Sequence, residues 1–379
     1  MRVLLVNAHG ADPTYGGAER YTGDLARKLR ERGHDAFVLS AFPSRGQLDV
    51  PSLALHRSDW RTDPTRRVRN RAGDFVAMPW QRLERAVAAA APDVVHTGNL
   101  PGLGTGVWEV ARRLAVPVVH TLHDYYLLCA RTSLVRSDGR ACTPHPALCG
   151  LRSRRLGRWS SAVSQVVAGS AHLLGRHRDF FPDAETRVIR LPLVATEVLP
   201  QPPVATPRTL GYIGALEQTK GIRELLAAAP ALAVEGLAVR IAGDGRLRAE
   251  VEAAAGRGEV VYEGRVEGEA KQRFLAGCDA GLVPSTWEEP SGPPYVVCEW
   301  LAAGRPVLVS DRGGLAEAVA LGGVAVAEPV ADGLVAAGRR LLVEEEWLRL
   351  VYAVPTVAGA EDLERWVDEH LSVYEAAAA

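Results

Sequence analysis

The sequence predicts an α/β protein built from two doubly wound, Rossmann-like domains. Short, continuously apolar runs alternate with segments of helical periodicity, the pattern of parallel strands covered by helices on both faces. The alternation stops at the Pro-rich segment Leu199–Pro203 and then starts again. The chain has 379 residues, enough for two domains of roughly 150 residues each. Two such domains are expected to face a central cleft, with ligands at the carboxyl ends of the strands.

The first domain opens with a βαβ unit. Arg2–Val6 predicts a strand, Glu19–Arg32 repeats its apolar residues with a helical period, and Ala36–Leu39 predicts the next strand. Gly33 is expected to end the helix, as glycine commonly does. Further strands are predicted at Val94–His96, Val116–Leu122, Val163–Ala168 and Val188–Ile189, with a helix at about Gly106–Leu114.

The second domain repeats this alternation. Its predicted strands are Thr209–Ile213, Ala238–Ala242, Val260–Tyr262, Ala280–Val283 and Pro306–Val309. Its predicted helices are Lys220–Ala229, Leu247–Ala255, Lys271–Ala276, Pro294–Ala303 and Leu315–Val319. A last amphipathic helix is predicted at Ala360–Tyr374. The linker therefore divides the chain into a first domain of residues 1–198 and a second of residues 199–359.

Composition argues against several classes of protein. Lys and Arg total 44 against 45 Asp and Glu, and this balance does not favour a nucleic-acid partner. No apolar run reaches the ~18 residues of a membrane helix, and Met1–Val6 is too short for a signal-peptide core. A cytoplasmic protein is expected. The five cysteines are an odd number in a long chain, so a disulfide framework is not favoured.

Two basic runs stand apart from the predicted core. Residues 47–71 show no clear period, are interpreted as an insertion, and carry Arg61, Arg66, Arg67, Arg69 and Arg71. The second run consists of Arg152, Arg154, Arg155 and Arg158. Solvated surface is the preferred interpretation of both runs, and a face for an anionic membrane or an acidic acceptor is the alternative.

Three places along the chain have the chemistry of an anion or sugar site. Gly16 and Gly17 precede the first helix, where free N–H groups can approach an anion, although a plain tight turn explains them equally well. His123 and Asp124 follow a predicted strand and can contact a sugar hydroxyl or phosphate, or cap the next segment. Lys220 lies in a strand-to-helix loop of a chain with few lysines and can neutralise phosphate charge.

The segment from Glu288 to Glu299 is the richest in such chemistry. Acidic residues flank a Gly/Pro loop that leads into a predicted helix, whose free N–H groups suit a diphosphate. Glu299 can accept both ribose hydroxyls. Compensation of the helix dipole would explain Glu288 or Glu289 but not Glu299.

Two other patterns are set aside. Gly102–Gly106 lacks the third glycine of a dinucleotide fingerprint and does not follow the first strand. Cys129, Cys142, His145 and Cys149 include no Cys-x-x-Cys pair, so buried thiols are preferred over a zinc site. The chain also contains no Asp-x-Asp, which favours diphosphate binding without a metal.

Taken together, these residues resemble the retaining glycosyltransferases of the GT-B fold, family 4. The resemblance covers most of the chain and depends on the order and spacing of its parts. Those parts are Gly16–Glu19, His123–Asp124, Gly214–Gly221, Ala242–Gly245, Tyr262–Gly264, Pro284–Ser285, Glu299, Ala303–Val307 and Gly313–Glu317.

The resemblance implies roles for individual residues. The second domain would bind a nucleotide diphosphate sugar and the first an acceptor, with the tail helix, about 360–379, crossing back onto the first domain. His123, Lys220 and Glu289 would be catalytic, through the sugar hydroxyls, the diphosphate and the sugar ring respectively. Donor contacts would come from Gly16, Gly17, Gly214, Lys220, Tyr262, Val266, Ser291, Gly292, Pro293 and Glu299. Asp124 and Tyr125 would contact the acceptor.

The sequence departs from the family pattern at two places. Ala215 stands where the family usually has Arg after the first glycine of the phosphate loop. The family's paired glutamates are separated by seven residues, whereas nine separate Glu289 from Glu299, and the position with the usual spacing is Ser291. The preferred interpretation is a two-residue insertion that leaves Glu289 its role.

The resemblance implies transfer of a sugar with retained anomeric configuration and no metal cofactor. A UDP-sugar donor and a small-molecule acceptor, such as a natural-product scaffold, are preferred. A lipid or polysaccharide acceptor, with the basic runs facing a membrane, is the alternative. A nucleotide-sugar epimerase or hydrolase, or a non-catalytic nucleotide-sugar-binding partner, also fits the fold. Replacing Lys220 by Ala is expected to remove most of the transfer activity while the protein folds normally. The sequence indicates no oligomeric state.

Overall fold

The computed structural model describes residues 1–44, 49–55, 80–136, 139–142, 146–193, 204–355 and 360–379. The chain forms two compact units. Unit 1 comprises Met1–Arg136, Arg140–Ile189 and Arg365–Ala379, and unit 2 is built on Arg190–Glu364. The predicted linker, Leu199–Pro203, and the first arginine run, at 61–71, lie outside the described residues.

Unit 1 contains a parallel sheet of seven strands in the order β3-β2-β1-β4-β5-β6-β7. The strands are β1 Arg2–Asn7, β2 Asp35–Ser40, β3 Ser52–Ala54, β4 Val94–Thr97, β5 Val118–Leu122, β6 Val163–Ala168 and β7 Glu185–Val188. The central strands are largely apolar because helices cover both faces, although β4 and β5 each include a histidine and a threonine. In β4 and β5 every residue is buried.

Among the residues that the structure describes, six helices belong to unit 1. They are α1 Gly17–Glu31, α2 Trp80–Ala90, α3 Gly106–Arg113, α4 Ala147–Leu156, α5 Ala171–His177 and, at the carboxyl end of the chain, α12 Ala360–Ala378, most of which lies in this unit. The α12 helix buries Trp366, Val367, Val373 and Tyr374 against unit 1, which accounts for the amphipathic pattern of the tail.

Unit 2 contains a parallel sheet of six strands in the order β10-β9-β8-β11-β12-β13. The strands are β8 Thr209–Ala215, β9 Ala238–Asp244, β10 Val261–Tyr262, β11 Ala280–Val283, β12 Val307–Ser310 and β13 Val324–Ala327. The helices are α6 Ile222–Val234, α7 Arg248–Gly256, α8 Gly268–Ala276, α9 Tyr295–Ala302, α10 Ala331–Leu341 and α11 Glu344–Tyr352. Two parallel sheets with helices confirm the predicted α/β class.

The strand orders define where each unit can bind a ligand. In unit 1 the direction of the strand order reverses between β1 and β4, and in unit 2 it reverses between β8 and β11. Loops that leave the carboxyl ends of such strands separate there and open a crevice. The segments singled out in the sequence follow strands at or next to these two reversals, which positions them for binding.

Two sequence predictions need correction. The helix expected from Lys220 begins at Ile222 instead, after a 3-10 turn at Gln218–Lys220. Gly221 between them has a φ of 75°, and a Cβ there would lie 1.9 Å from the Pro284 carbonyl oxygen, so only glycine fits this approach. The second basic run is not entirely solvated, because Arg152 is buried while Arg154 and Arg158 are exposed.

Candidate active site

An ion pair in unit 2 joins the side chains of Lys220 and Glu289. Lys220 ends the 3-10 turn after β8, and Glu289 lies in the loop after β11. The Lys220 Nζ is 2.5 Å from Glu289 Oε1, which also accepts a hydrogen bond of 2.6 Å from the Ser285 hydroxyl. The Glu289 side chain is only 6% exposed, whereas Lys220 is 33% exposed. The ammonium therefore neutralises a buried carboxylate and still reaches solvent, where an anion can approach it.

The backbone holds Glu289 in this position. The Gly314 N–H donates to the Glu289 carbonyl at 2.7 Å, and Glu289 pairs with Gly313 in a parallel bridge. Gly313 has a φ of 63°, and a Cβ there would lie 2.4 Å from the Glu289 carbonyl oxygen. A Cβ on Gly292 would lie 2.1 Å from the Gly314 carbonyl oxygen, so the loop and the turn pack backbone to backbone. This packing directs Glu289 towards Lys220, while Ser291 is half-buried nearby.

Glu299 forms the second lysine–glutamate pair of unit 2. It is the fifth residue of α9, and its side chain is 12% exposed. Its Oε1 is 2.7 Å from the Nζ of Lys271 in α8. The chain contains three lysines, and two of them neutralise the two glutamates that the sequence predicts for the sugar and the ribose. Pro293 follows Gly292 through a cis peptide bond, and α9 begins two residues later at Tyr295.

The other predicted donor contacts lie at the ends of β8 and β9. The Tyr262 hydroxyl donates to the Gly243 carbonyl at 2.9 Å, and the Gly243 N–H donates to Gly264 at 2.8 Å, which ties the 262–266 segment to β9. Val266 is partly buried against the apolar core below this segment. A Cβ on Gly243 would lie 1.8 Å from the Gly214 carbonyl oxygen, so the two strand ends approach closely.

One cation beside the phosphate loop was not found from the sequence. Ala215 is exposed at the end of β8, and the Tyr212 hydroxyl donates to its carbonyl at 2.7 Å. The Arg246 guanidinium is 88% exposed and lies 2.7 Å from Glu217, two residues after Ala215. The sequence could have indicated this cation, because Arg246 directly follows Asp244-Gly245 at the end of the neighbouring strand.

Unit 1 presents a helix N-terminus after its first strand. Gly16 is the N-cap of α1, and Gly17 is the first helical residue. Gly16 has no side chain to satisfy the first N–H groups of the helix. In a helix of 15 residues these groups and the helix dipole favour an anion. A Cβ on Gly16 would lie 3.3 Å from Glu19 Oε2, closer than usual contact.

His123 follows β5 and is held as a neutral imidazole. Burial, with a smaller effect of His370, lowers its pKa to about 4. Its ring packs edge-on against Tyr21, with ring centroids 4.8 Å apart. The buried Nε2 atom has no hydrogen-bond partner among the described residues, and the absence of a side chain at Gly98 leaves room beside it. A neutral histidine with an unsatisfied nitrogen is suited to a sugar hydroxyl.

The two residues after His123 have different environments. Asp124 accepts a 2.7 Å hydrogen bond from the Tyr126 N–H, and burial raises its pKa to about 6. Tyr125 is fully buried, with its hydroxyl 3.2 Å from His172 Nε2 and its ring stacked on His177. The expectation that Tyr125 contacts an acceptor is therefore corrected, because its side chain belongs to the core.

Below His123, α12 connects to the sheet of unit 1 through buried hydrogen bonds. His370 Nδ1 is 2.6 Å from the Trp366 carbonyl, so Nδ1 carries the proton and donates. The other nitrogen, Nε2, then accepts from the Tyr21 hydroxyl. Because the Tyr21 hydroxyl proton is donated to His370, the Tyr21 oxygen can only accept a second hydrogen bond, which comes from the Thr121 hydroxyl at 3.5 Å.

The same bonding continues to the far end of α12. Thr121 accepts from His96 Nε2 at 2.6 Å, and His96 Nδ1 is 2.7 Å from the Tyr374 hydroxyl, which donates to it. Every donor in this chain faces an acceptor only while both histidines are neutral. Burial lowers the pKa of His96 and brings that of His370 to about 4, in agreement with this requirement. None of these residues was predicted as functional.

The cysteine and metal expectations can be compared with the described residues. All five cysteines are free thiols, and all but Cys149 are buried. Among the described residues, no group of three or more His, Cys, Asp or Glu side chains is arranged to hold a metal ion. His145 lies outside the described residues. None of the described helices is both long and apolar enough to span a membrane.

Comparisons with known proteins agree with the fold. A family model described as Glycosyltransferase Family 4 matches residues 15–193, and one described as Glycosyl transferases group 1 matches residues 207–344. The chain is 29% identical to a glycogen synthase of Mycobacterium tuberculosis, covering 90% of this chain and 86% of the relative. It is 27% identical to the 2-deoxystreptamine N-acetyl-D-glucosaminyltransferase of Streptomyces fradiae, covering 94% of this chain and 90% of the relative.

A solved structure extends the comparison to three dimensions. The Anabaena protein HepE in complex with UDP has a similar fold, with a TM-score of 0.67 and 18% sequence identity. The similarity covers 98% of this chain and 100% of the HepE chain. The two-unit architecture is therefore shared along the whole chain.

Proposed function

Because the chain belongs to the group 1 glycosyltransferases of family 4 and has their GT-B fold, we propose that it moves a sugar from a UDP-sugar to a hydroxyl of a small-molecule acceptor. The transfer retains the anomeric configuration and needs no metal. Unit 2 binds the donor and unit 1 binds the acceptor. The observation that carries the proposal is the half-exposed Lys220 ammonium held against a buried glutamate at the strand-order reversal of unit 2.

In the proposed donor complex, Lys220 binds the diphosphate. A bound diphosphate competes with Glu289 for the ammonium, and the Glu289 carboxylate then accepts hydrogen bonds from sugar hydroxyls. The N–H groups of Gly292 and of the first turn of α9 add to the anion site, and Arg246 supplies the cation that the family usually carries at position 215. Glu299 leaves Lys271 to accept the ribose hydroxyls, and the 262–266 backbone contacts the base.

The proposed reaction occurs on one face of the sugar. The bond between the anomeric carbon and the diphosphate oxygen breaks, the acceptor oxygen bonds to that carbon, and the acceptor proton passes to the departing diphosphate oxygen. Negative charge accumulates on the diphosphate, so Lys220 stabilises the transition state more than the ground state. The neutral His123 imidazole contacts the sugar hydroxyls, and Asp124 orients the acceptor.

Two relatives support different acceptors. The Streptomyces fradiae relative is named for a small aminocyclitol acceptor and supports the preferred proposal. The mycobacterial relative is named a glycogen synthase and supports a polymer acceptor. We keep a lipid or polysaccharide acceptor as the second candidate, because unit 1 exposes apolar and basic side chains on α4, described below.

The donor is tested by thermal shift with UDP, GDP, TDP and ADP, each with and without EDTA. A nucleotide that binds the folded chain raises its melting temperature according to its concentration and affinity. We expect UDP to give the largest shift, unchanged by EDTA. The Lys220→Met variant should lose the shift, and Lys28→Met, which removes a lysine of unit 1 paired with Glu31, should keep it. A shift that survives in Lys220→Met contradicts the proposed diphosphate site.

The reaction is tested with a panel of UDP-sugars and acceptors. Product formation only when an acceptor is present supports a transferase, whereas donor breakdown alone supports a hydrolase or epimerase. The configuration at the anomeric carbon is read from the proton coupling in the product. An inverted product contradicts the same-face mechanism, and nucleotide binding without turnover on any acceptor favours a non-catalytic partner.

A further inference from the structure

The α4 helix packs on unit 1 through a buried arginine. Arg152 is 3% exposed, its guanidinium donates to the Tyr126 carbonyl at 2.6 Å, and it lies 4.6 Å from the centre of the Tyr126 ring. Leu156, one turn later, is also buried. These two residues fix which side of α4 faces the protein.

A neighbouring side of α4 exposes large apolar side chains. Leu148 is 73% exposed and Leu151 is 56% exposed. At 100° per residue Leu148, Leu151 and Arg155 lie within about 60° of one another around the helix, with Arg154 about 60° further round, and the centre of this face is about 110° from the buried side. Single exposed leucines are ordinary on a protein surface. Two on one face, next to arginines on the same face, make an amphiphilic surface that water does not favour.

Two arginines of α4 have no acidic partner among the described residues: neither Arg154 nor Arg155 forms an ion pair there. Arg158, just after α4, packs over the Trp159 ring at 3.4 Å from its centre. Burial and the neighbouring Arg155 charge lower the pKa of Arg158, and the Glu109 carboxylate opposes them only in part. The neighbouring arginines of α3 differ, because Arg112 pairs with Glu109 and Arg113 with Glu84.

We propose that this face, formed by Leu148, Leu151, Arg154, Arg155 and Arg158, docks the protein on an anionic lipid surface. The leucines enter the boundary between headgroups and acyl chains, and the arginines contact lipid phosphates. Charge complementarity selects an anionic surface, and the exposed leucines select a lipid over a nucleic acid or an acidic protein surface. Because the whole chain has a net charge of -1, general attraction to an anionic membrane is weak, and binding depends on this face.

Hydrogen bonds connect α4 to Asp124, the residue that we propose orients the acceptor. Arg152 connects α4 to the carbonyl of Tyr126, whose N–H in turn binds Asp124. A membrane bound at α4 would therefore present its headgroups near the segment that follows β5. This last step rests on the proposed function, since it assigns acceptor binding to that segment; the docking itself does not.

The docking is tested by co-sedimentation of the full chain with lipid vesicles. Vesicles of phosphatidylglycerol mixed with phosphatidylcholine should bind the protein, with less binding at high salt, and vesicles of phosphatidylcholine alone should not. Each arginine near such a surface contributes roughly fivefold in affinity, so Arg154→Gln combined with Arg155→Gln should weaken binding on the order of 30-fold. Arg112→Gln combined with Arg113→Gln is the matched control and should bind normally.

The leucines distinguish a lipid surface from other anionic partners. Leu148→Gln combined with Leu151→Gln should also weaken vesicle binding. The substituted positions are exposed except Arg155, which is half-buried, so far-UV circular dichroism should show unchanged folding. Equal binding to both vesicle types, equal loss in the control, or full binding by the leucine variant would overturn the proposal. The last outcome would favour an acidic protein surface. Thermal shifts with UDP are unaffected by these variants, so failure here leaves the donor proposal standing.

Discussion

Replacing Lys220 by Met should destabilise unit 2 as well as remove the proposed diphosphate contact. Methionine keeps the apolar stem of the side chain and deletes the charge. Glu289 would then be a carboxylate, 6% exposed, whose remaining side-chain partner is the Ser285 hydroxyl. Loss of one partner from a fully buried ion pair costs about 3–5 kcal/mol. Lys220 is 33% exposed, so water can partly replace the ammonium, and we expect about 2–3 kcal/mol.

A double-mutant cycle isolates this pair from other effects of the substitutions. Glu289→Gln keeps an oxygen that can accept from both Lys220 and Ser285, and should cost about 1 kcal/mol. In the double variant the buried carboxylate is absent, so the loss of the lysine matters less. The double variant should therefore be more stable than the sum of the two single effects implies, by about 1–2 kcal/mol. This prediction differs from the sequence-based expectation, in which the loss of Lys220 leaves folding unaffected.

The assay is urea denaturation followed by far-UV circular dichroism, with the transition of unit 2 fitted separately. Lys28→Met is the control, since the Glu31 carboxylate that it leaves behind is 48% exposed and not buried, so stability should change by about 0.5 kcal/mol or less. The reasoning is refuted if Lys220→Met is no more destabilising than Lys28→Met, or if the effects of Lys220→Met and Glu289→Gln add without coupling.

Three further predictions concern the supports of the site. Gly221→Ala should cost at least 3 kcal/mol, because a Cβ would lie 1.9 Å from the Pro284 carbonyl oxygen, whereas Gly236→Ala, with a φ of 87° but open space, should cost about 1 kcal/mol in the same urea assay. Tyr21→Phe leaves His370 Nε2 without its donor and should lower the unfolding free energy by about 1–3 kcal/mol, while Tyr352→Phe, 75% exposed, should be neutral. The pKa of His370 is lowered to about 4 from an ordinary 6.5, so its neutral form stabilises the fold above pH 6.5 and that stability is lost as the pH falls towards 4. His370→Gln should make the unfolding free energy less dependent on pH in that window; an unchanged slope would contradict the neutral hydrogen-bond chain.

The fold could be predicted because its determinants are local. The central strands are short, mostly apolar runs, and glycines such as Gly33 mark where helices stop. The missed elements had weak local signals. The α4 helix exposes two leucines and buries Arg152, which reverses the usual amphipathic pattern, so periodicity did not identify it. The edge strand β3 has three residues, too few for a pattern.

The candidate site was predictable where chemistry follows chain position. Lys220 and Glu289 each come after a strand at the reversal of the strand order, and the structure brings their side chains together. Tyr125 was misassigned because its position after a strand does not predict how the chain turns after Asp124 and so does not predict where its side chain points. His370 and Tyr374 could not be found, because their partners Tyr21 and His96 are 349 and 278 residues away in sequence.

The two lysine–glutamate pairs of unit 2 suggest why an unliganded donor site stays ordered. Glu289 is 6% exposed and Glu299 12% exposed, and either carboxylate alone in such an environment would be costly. Each lysine compensates one carboxylate until a ligand arrives. A nucleotide diphosphate sugar has a diphosphate that attracts Lys220 and hydroxyl groups that donate hydrogen bonds to Glu289 and Glu299. On the proposed function, it therefore replaces both ion pairs, and neither buried carboxylate is left without a partner. A nucleoside monophosphate lacks the sugar hydroxyls for Glu289, so at equal concentration it should raise the melting temperature less than the diphosphate sugar.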